Sequence, residues 1–173
     1  MERQNYRPAE WLDDGLVDDV TRNLVQELLS RSAERVRAQN TALWLSSGDH
    51  LDALLGSGPH AAHFVGEFRQ PLDRGIISLV YASGQPVCEN AISSNPHHSR
   101  LLDQRLGIQT DAMVAVPLVV GGEITGVVTC VHTRPAGSDQ PPAGFGATDL
   151  HEFEFVSACI ARLLEAATAA ETL

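Results

Sequence analysis

The side chains of this sequence that could carry out chemistry include three cysteines and seven histidines. Cys88, Cys130 and Cys159 are far apart and form no C-x-x-C pair, so their spacing predicts neither a zinc site nor a disulfide framework. Cys88 and Cys130 lie in apolar segments, where a free cysteine usually behaves as a small hydrophobic side chain. A redox role for either thiol is the alternative. The simplest interpretation is a reduced, cytoplasmic protein.

The histidines give no clear metal-binding pattern. His97 and His98 lie in a predicted loop, where they could be solvated, line a ligand pocket, or ligate haem or a metal. His60 and His63 would share a face only in a helix, and Pro59 argues against one there. The sequence therefore predicts no metal site, and haem stays open.

Hydroxyl and acidic side chains likewise form no recognisable catalytic set. There is no nucleophile–base pair and no phosphate-binding loop, so no catalytic residue is predicted. Thr125 and Thr129 stand in the most apolar stretch, where a buried hydroxyl needs a partner. A ligand, a water molecule or a backbone carbonyl could supply it.

That stretch, Ala112–His132, reads as two β-strands joined by Gly121-Gly122, a pair suited to a tight hairpin turn. A regular register places Val116 opposite Val127. Alternation would then put five residues on one face of the hairpin, namely Val114, Val116, Thr125, Val127 and Thr129. Both faces are largely apolar, so the hairpin should lie in the middle of a covered sheet.

The rest of the chain supplies helices and strands around this hairpin. The pattern predicts an N-terminal helix capped by Asp13 or Asp14 and a C-terminal helix starting at Thr148 or Asp149. Strands are predicted at 41–46, 51–55, within 64–72 and at 85–90, with a short helix at 73–83 and an irregular segment at 91–107. This order indicates an α+β domain with an antiparallel sheet. We expect one domain at 14–170, with a flexible segment at 1–13 and a tail at 171–173.

Composition excludes several partners. The chain has 173 residues, is 43% hydrophobic and carries a net charge of −10 without a basic cluster. This argues against nucleic acid and against an anionic membrane as direct partners. No apolar run reaches the roughly 20 residues that span a bilayer.

Three motifs carry a resemblance to a known family. They are LDRGIISLVYASGQPV (72–87), GIQTDAMVAVPLVVGGEITGVVTCV (107–131), and F-x-x-x-D at Phe145 and Asp149. In this order they resemble the GAF domain family over residues 20–168. The resemblance implies a GAF/PAS-like central antiparallel β-sheet with the N- and C-terminal helices on one face and a ligand pocket on the other. It also implies a sensory module that dimerises through those helices.

The motifs of the family's better-known ligands and reactions are missing. Cyclic-nucleotide-binding members carry an asparagine–lysine pair where this chain has His132-Thr133-Arg134, and a glutamate where it has Leu150. Bilin-binding members carry a cysteine in the segment matching 91–107, which has none. Methionine sulfoxide reductases of this family need a cysteine within 76–79 and acids on the second hairpin strand, and both are absent. Neither a bilin nor a cyclic nucleotide is therefore expected.

The predicted function is non-catalytic small-molecule sensing in signal transduction. Ligand binding would reorder 91–111 and be relayed through the sheet to the terminal helices, and from there to a downstream regulatory protein or a fused output domain. One alternative is a redox enzyme or thiol sensor that uses Cys88 or Cys130. Another is a purely structural dimerisation module.

Two sets of residues follow from this interpretation. The candidate ligand-binding residues are Asn90, Ser93, Asn95, His97, His98, Leu101, Leu102, Asp111, Val114, Val116, Thr125, Val127 and Thr129. The candidate homodimer interface, taken from the helical apolar spacing, is Leu24, Leu28, Phe153, Val156, Ile160 and Leu163.

Overall fold

A computed structural model describes residues 17–170 of the chain. The expected flexible segment 1–13, the capping by Asp13 or Asp14 and the tail 171–173 lie outside these residues. The first described helix, α1 (Asp19–Val36), is capped by Asp18, whose carboxylate accepts a hydrogen bond from the Thr21 N–H at 2.7 Å.

The remaining elements follow the expected order. The strands are β1 (Asn40–Ser47), β2 (His50–Ser57), β3 (Arg69–Pro71), β4 (Val87–Glu89), β5 (Ile108–Val120) and β6 (Glu123–Pro135). The other helices are α2 (Ile76–Ser83), α3 (Leu101–Leu106) and α4 (Ala147–Ala170), with 3₁₀ turns at Ala61–His63 and Ile92–Ser94. Within residues 17–170 the six strands form one antiparallel sheet in the order β3-β2-β1-β6-β5-β4. The predicted α+β class and the central hairpin are thereby confirmed.

Each face of the sheet covers its own hydrophobic core. On one face α1 and α4 bury residues such as Leu29 and Phe153 against Leu43 and Val114. On the other face α2 and the connecting segments pack against Trp44 and its neighbours. We call these the helix face and the pocket face.

The hairpin has the expected turn but a different register. Gly121 and Gly122 both have positive φ, 61° and 84°, as a tight hairpin turn requires. Just beyond the hairpin turn, Val119 pairs with Ile124 but Leu118 pairs with Gly126. This leaves Thr125 as an extra residue in β6. From this bulge onward Val116 pairs with Val128, not with Val127.

Because of the bulge, the prediction of which residues share one face of the hairpin is wrong. Because one inserted residue inverts the alternation of one strand relative to the other, the five predicted residues do not share a face. Val114 and Val116 belong to the helix-face core, whereas Val127 belongs to the pocket-face core. The Thr125 hydroxyl is buried and donates to the Leu118 carbonyl at 3.3 Å.

The apolar seam predicted on the C-terminal helix points inward. Phe153, Val156 and Ile160 are buried in the helix-face core, so they are not free to form a dimer interface. The reason is that α4 spans the sheet and needs its most apolar stripe to cover β5. Leu28 and Leu163 are partly buried against the same core, and Leu24 alone of the predicted set is exposed. None of the helices described is long and apolar enough to cross a membrane.

Candidate ligand-binding site

A cavity of about 60 Å³ lies between the pocket face of the sheet and the layer formed by α2 and α3. The sheet contributes residues of β1, β5 and β6, and the covering layer contributes the start of α2, the segment before α3, and α3 itself. The lining consists of Asn40, Thr41, Ala42, Trp44, Phe64, Gln70, Gly75, Ile76, Ile77, His98, Ser99, Leu102, Asp103, Leu106, Ile108, Thr110, Met113, Thr129, Val131 and Thr133. The cavity is small, since pockets for drug-sized ligands measure roughly 300–1,000 Å³.

An aromatic cluster forms one wall. The Trp44 ring stacks on Phe64 with 6.1 Å between centroids and meets Phe68 edge-on at the same separation. Gly126 on β6 lets the backbones of β1 and β6 approach closely at this point, because a Cβ there would lie 2.0 Å from the Trp44 carbonyl oxygen. Trp44 and Phe64 thus give the cavity an aromatic, apolar wall.

Thr129 joins the aromatic wall to the cavity. The Trp44 indole Nε1 donates to the Thr129 Oγ1 at 3.0 Å, and both residues are buried. Because the Thr129 oxygen already accepts this bond, its own hydroxyl hydrogen is left to donate.

A second polar group stands where α3 meets β5. The Asp103 carboxylate accepts hydrogen bonds from His98 Nε2 at 3.1 Å, from the Thr110 N–H at 3.0 Å and from the Thr110 hydroxyl at 2.7 Å. Burial raises the pKa of Asp103, but the bonds from His98 and Thr110 outweigh it and hold the pKa below its ordinary value. This carboxylate fastens α3 to the sheet.

Ser99 and Gln70 complete the polar lining. The Ser99 Oγ is buried and meets no hydrogen-bond partner among the described residues. The Gln70 side-chain amide donates to the carbonyls of Pro71 and Arg74 at 3.2 and 2.8 Å, which holds the chain just before α2. Gly75 lies between Gln70 and Ser99 and leaves room for both side chains, since a Cβ there would lie 2.9 Å from Gln70 Nε2 and 3.2 Å from Ser99 Cβ.

The structure brings three of the predicted ligand-binding residues together at the cavity. They are His98, Leu102 and Thr129. Val127 lies in the pocket-face core beside them but does not line the cavity. The segment 91–111 does cover the sheet, as expected, but it covers the pocket face and not the face of Val114 and Val116.

The other predicted residues have structural partners or solvent around them. Asn90 bonds both backbone groups of Phe145, and Asp111 forms an ion pair of 3.0 Å with Arg134. Asn95 donates to Glu89, Ser93 offers its carbonyl to Arg100, and His97 and Leu101 are exposed. The bonded residues of this set hold loops around the site, and the exposed ones face solvent.

Sequence reasoning missed several lining residues. Asp103 could have been noticed as an acid in the first turn of a short helix. Ser99 and Gln70 carry no pattern that marks them, because their roles depend on the approach of chain segments at Gly75.

The cysteines lie away from the cavity, whose described lining includes none of them. Cys130 is buried and its thiol pKa is raised by burial. Cys88 is exposed, yet partial burial and the carboxylates of Asp149 and Glu89 raise its pKa too. Since the thiolate is the reactive form, neither environment favours redox chemistry. Among residues 17–170, no three His, Cys, Asp or Glu side chains are placed to hold a metal ion.

Comparisons with known proteins place this fold. The chain is similar to the GAF domain of a phosphoenolpyruvate-protein phosphotransferase from Coxiella burnetii, with 15% identity over 96% of this chain and 95% of that one and a TM-score of 0.73. It is similar to the corresponding GAF domain from Acinetobacter, with 12% identity, 96% of each chain covered and a TM-score of 0.70. A free methionine-R-sulfoxide reductase from Neisseria meningitidis, solved with its substrate, has 19% identity, 94% and 87% coverage and a TM-score of 0.69.

At such low identities these likenesses establish the fold alone. No curated protein sequence matches the chain significantly. The sequence profile of the GAF domain, however, matches residues 21–167. Because that profile spans most of the chain, the protein belongs to the GAF domain family.

Proposed function

We propose that this chain is a non-catalytic sensor domain that binds a small molecule in the cavity beneath α3. Domains of this family are generally regulatory or sensory modules that bind small molecules. The observation that carries the proposal is the cavity itself, an apolar chamber with a few convergent polar groups. The Ser99 hydroxyl makes no hydrogen bond to the neighbouring His98 imidazole among the described residues, so these two side chains do not form a paired nucleophile and base.

The covering helix α3 is the element that would respond to the ligand. None of its residues is fully buried, and its main polar attachment is the Asp103 carboxylate. An element with little buried surface opens at low cost. A ligand that touches α3 would therefore change the balance between closed and open forms, in proportion to its difference in affinity for them.

Strand β5 offers the route to the opposite face. It receives the Asp103 bonds through Thr110 and, further along, its Pro117 carbonyl accepts a hydrogen bond of 2.8 Å from Ser157 on α4. Movement of α3 would thus be transmitted through β5 to the terminal helix, and from there to a fused output domain or a downstream regulatory protein.

Large cofactors do not suit a cavity of this size. A haem or bilin macrocycle exceeds about 60 Å³ many times over. The one imidazole of the described lining, His98, is engaged with Asp103. A cyclic nucleotide would bring a phosphate to a lining in which none of the described residues is Lys or Arg.

The test is native mass spectrometry of the purified protein combined with hydrogen exchange. We expect a small mass retained by the protein, and slower exchange across 98–110 when metabolite extract is added. Ala42→Leu, which fills the cavity, should abolish both effects, whereas Ala91→Leu, at an exposed position of the covering segment, should abolish neither. Exchange that no extract alters, in protein that retains no mass, would refute the sensor proposal and support a structural module.

A further inference from the structure

The donors around the cavity indicate what kind of molecule it accepts. We propose that the ligand is a small uncharged molecule, mostly apolar, that presents a carbonyl-type hydrogen-bond acceptor to Ser99 and Thr129. This inference rests on the proposed function and names the chemical class of the ligand of that same site.

The two hydroxyl groups are the first observation. The Ser99 Oγ is buried without a partner among the described residues, which is costly unless something else satisfies it. The Thr129 oxygen already accepts a hydrogen bond from the Trp44 indole, so the Thr129 hydroxyl hydrogen can donate to a ligand. Both residues line the cavity, whose surface is mostly apolar.

The start of α2 is the second observation. Gly75, Ile76 and Ile77 form part of the lining, and no side chain caps this helix. The first N–H groups of a helix have no partner within it, so they add donor character to the same chamber. The start of α2 therefore adds uncapped backbone donors beside the Ser99 and Thr129 hydroxyls of the same lining.

The charge of the lining indicates that the ligand's hydrogen-bond acceptor is neutral and not anionic. The described lining contains no Lys or Arg, and it does contain the ionised Asp103 carboxylate. A bound carboxylate or phosphate would lose its water without gaining a cation, and the short α2 dipole offsets only part of that cost. A cationic ligand is disfavoured as well, because Asp103 already accepts three hydrogen bonds from His98 and Thr110.

Volume limits the size of the ligand. About 60 Å³ limits the ligand to a few non-hydrogen atoms. A short-chain ketone, aldehyde or amide fits this limit, and its alkyl end would lie against Trp44 and Phe64.

Four probes of five non-hydrogen atoms each test the proposal. They are 2-butanone, its hydrocarbon analogue 2-methyl-1-butene, the anion propionate and the cation of sec-butylamine. Titrations would follow the indole N–H resonance of Trp44, which is bonded to Thr129 and so reports on the cavity directly. We expect saturable shifts with 2-butanone, about fivefold weaker binding of the hydrocarbon, and no binding of either ion.

Ser99→Ala separates recognition from folding. Because the Ser99 hydroxyl is unpartnered among the described residues, its removal should leave the stability of the free protein unchanged or slightly raised. The same change should weaken 2-butanone about fivefold and leave the hydrocarbon unaffected. Ser94→Ala, at an exposed serine of the same segment, is the matched control and should alter neither affinity.

Each contrary result has its own meaning. Binding of propionate as strong as that of 2-butanone, or equal affinities for ketone and hydrocarbon, would overturn the assigned ligand class. So would failure of 2-butanone to bind at all. If metabolite extract still protects 98–110 in that case, the sensor proposal stands and only the ligand class is wrong.

Discussion

At the scale of single residues, Thr129 links the core to the cavity, and its hydroxyl is the acceptor for a buried indole. Thr129→Val keeps the shape but leaves the Trp44 N–H unpaired, so we expect a loss of about 1–3 kcal/mol in the free energy of unfolding. Urea denaturation of the variant measures it. In a Trp44→Phe background the same change should cost much less, and an equal cost in both backgrounds would contradict the bond.

His132 is a second residue whose environment sets a measurable property. Its ring stacks on Phe145 at 4.1 Å between centroids, and burial lowers its pKa from the ordinary 6.5. Because the folded protein binds this proton less readily than the unfolded chain, stability is full above pH 6.5 and falls as the pH drops through the folded pKa.

His132→Phe should remove this part of the pH dependence. Phenylalanine keeps the stacking, and Gln39, which bonds the His132 ring, still accepts from the Thr133 N–H. We expect chemical denaturation between pH 7 and 5 to show a flatter stability profile for the variant than for the unchanged protein. Identical slopes would show that other groups account for the dependence.

Residue identity alone predicted part of the site. His98 and Thr129 were found because one lies in the longest irregular segment and the other bears a hydroxyl in an apolar strand. Ser99 and Gln70 were not predicted, since no pattern in the neighbouring sequence indicates a contact made across the fold. Asp103 offered only the weak signal of an acid in the first turn of a short helix. Val114 and Val116 were wrongly placed, because the residue pattern assumes a regular hairpin.

At the scale of elements, this error originates in the bulge at Thr125 of the β5–β6 pair. Gly121-Gly122 predicts the turn correctly, but Thr125 and Asp111 each enter as an extra residue that shifts the pairing. A bulge disturbs the hydrogen bonding of only a few residues, and its position depends on what the whole sheet must cover. Local sequence therefore predicts which strands exist and not which face each side chain occupies.

The attachment of α3 gives a prediction at this scale. Asp103→Asn removes the charge from the group that accepts from His98 and Thr110, and we expect α3 to open more readily by about 1–2 kcal/mol. Hydrogen exchange across 99–110 should be faster, with little change in the helix face. Arg105→Gln is the matched control on the same helix, since the Arg105–Glu67 ion pair is exposed and contributes at most about 1 kcal/mol.

Acid should reproduce the effect of that substitution. The pKa of Asp103 is lowered in the folded protein, so its contribution is complete above the ordinary value of 3.8 and is lost as the pH falls through the folded pKa. In this acid range we expect α3 of the unchanged protein to lose protection relative to an unfolded chain at the same pH, and Asp103→Asn to show no such further loss. An equal loss of protection in both would assign the opening to another group.

At the scale of the whole molecule, α1 and α4 expose some apolar side chains on their outer surfaces. Val20 and Leu24 on α1 are 65% and 48% exposed, and Phe155 on the neighbouring α4 is 67% exposed. We propose that a second copy of the chain covers these residues. The support is that all three exposed side chains belong to α1 and α4, which pack beside each other over one face of the sheet.

Two substitutions on α4 distinguish this surface from the buried seam. Phe155→Ser should give a folded monomer, because the side chain contributes to the outer surface and not to the core. Ile160→Glu should instead unfold the domain, because Ile160 is fully buried in the helix-face core and an unpaired charge there is prohibitive. Light scattering gives the mass and circular dichroism the fold. An unchanged protein that stays monomeric at about 100 μM, or a Phe155→Ser variant that remains a dimer, would contradict the proposed interface.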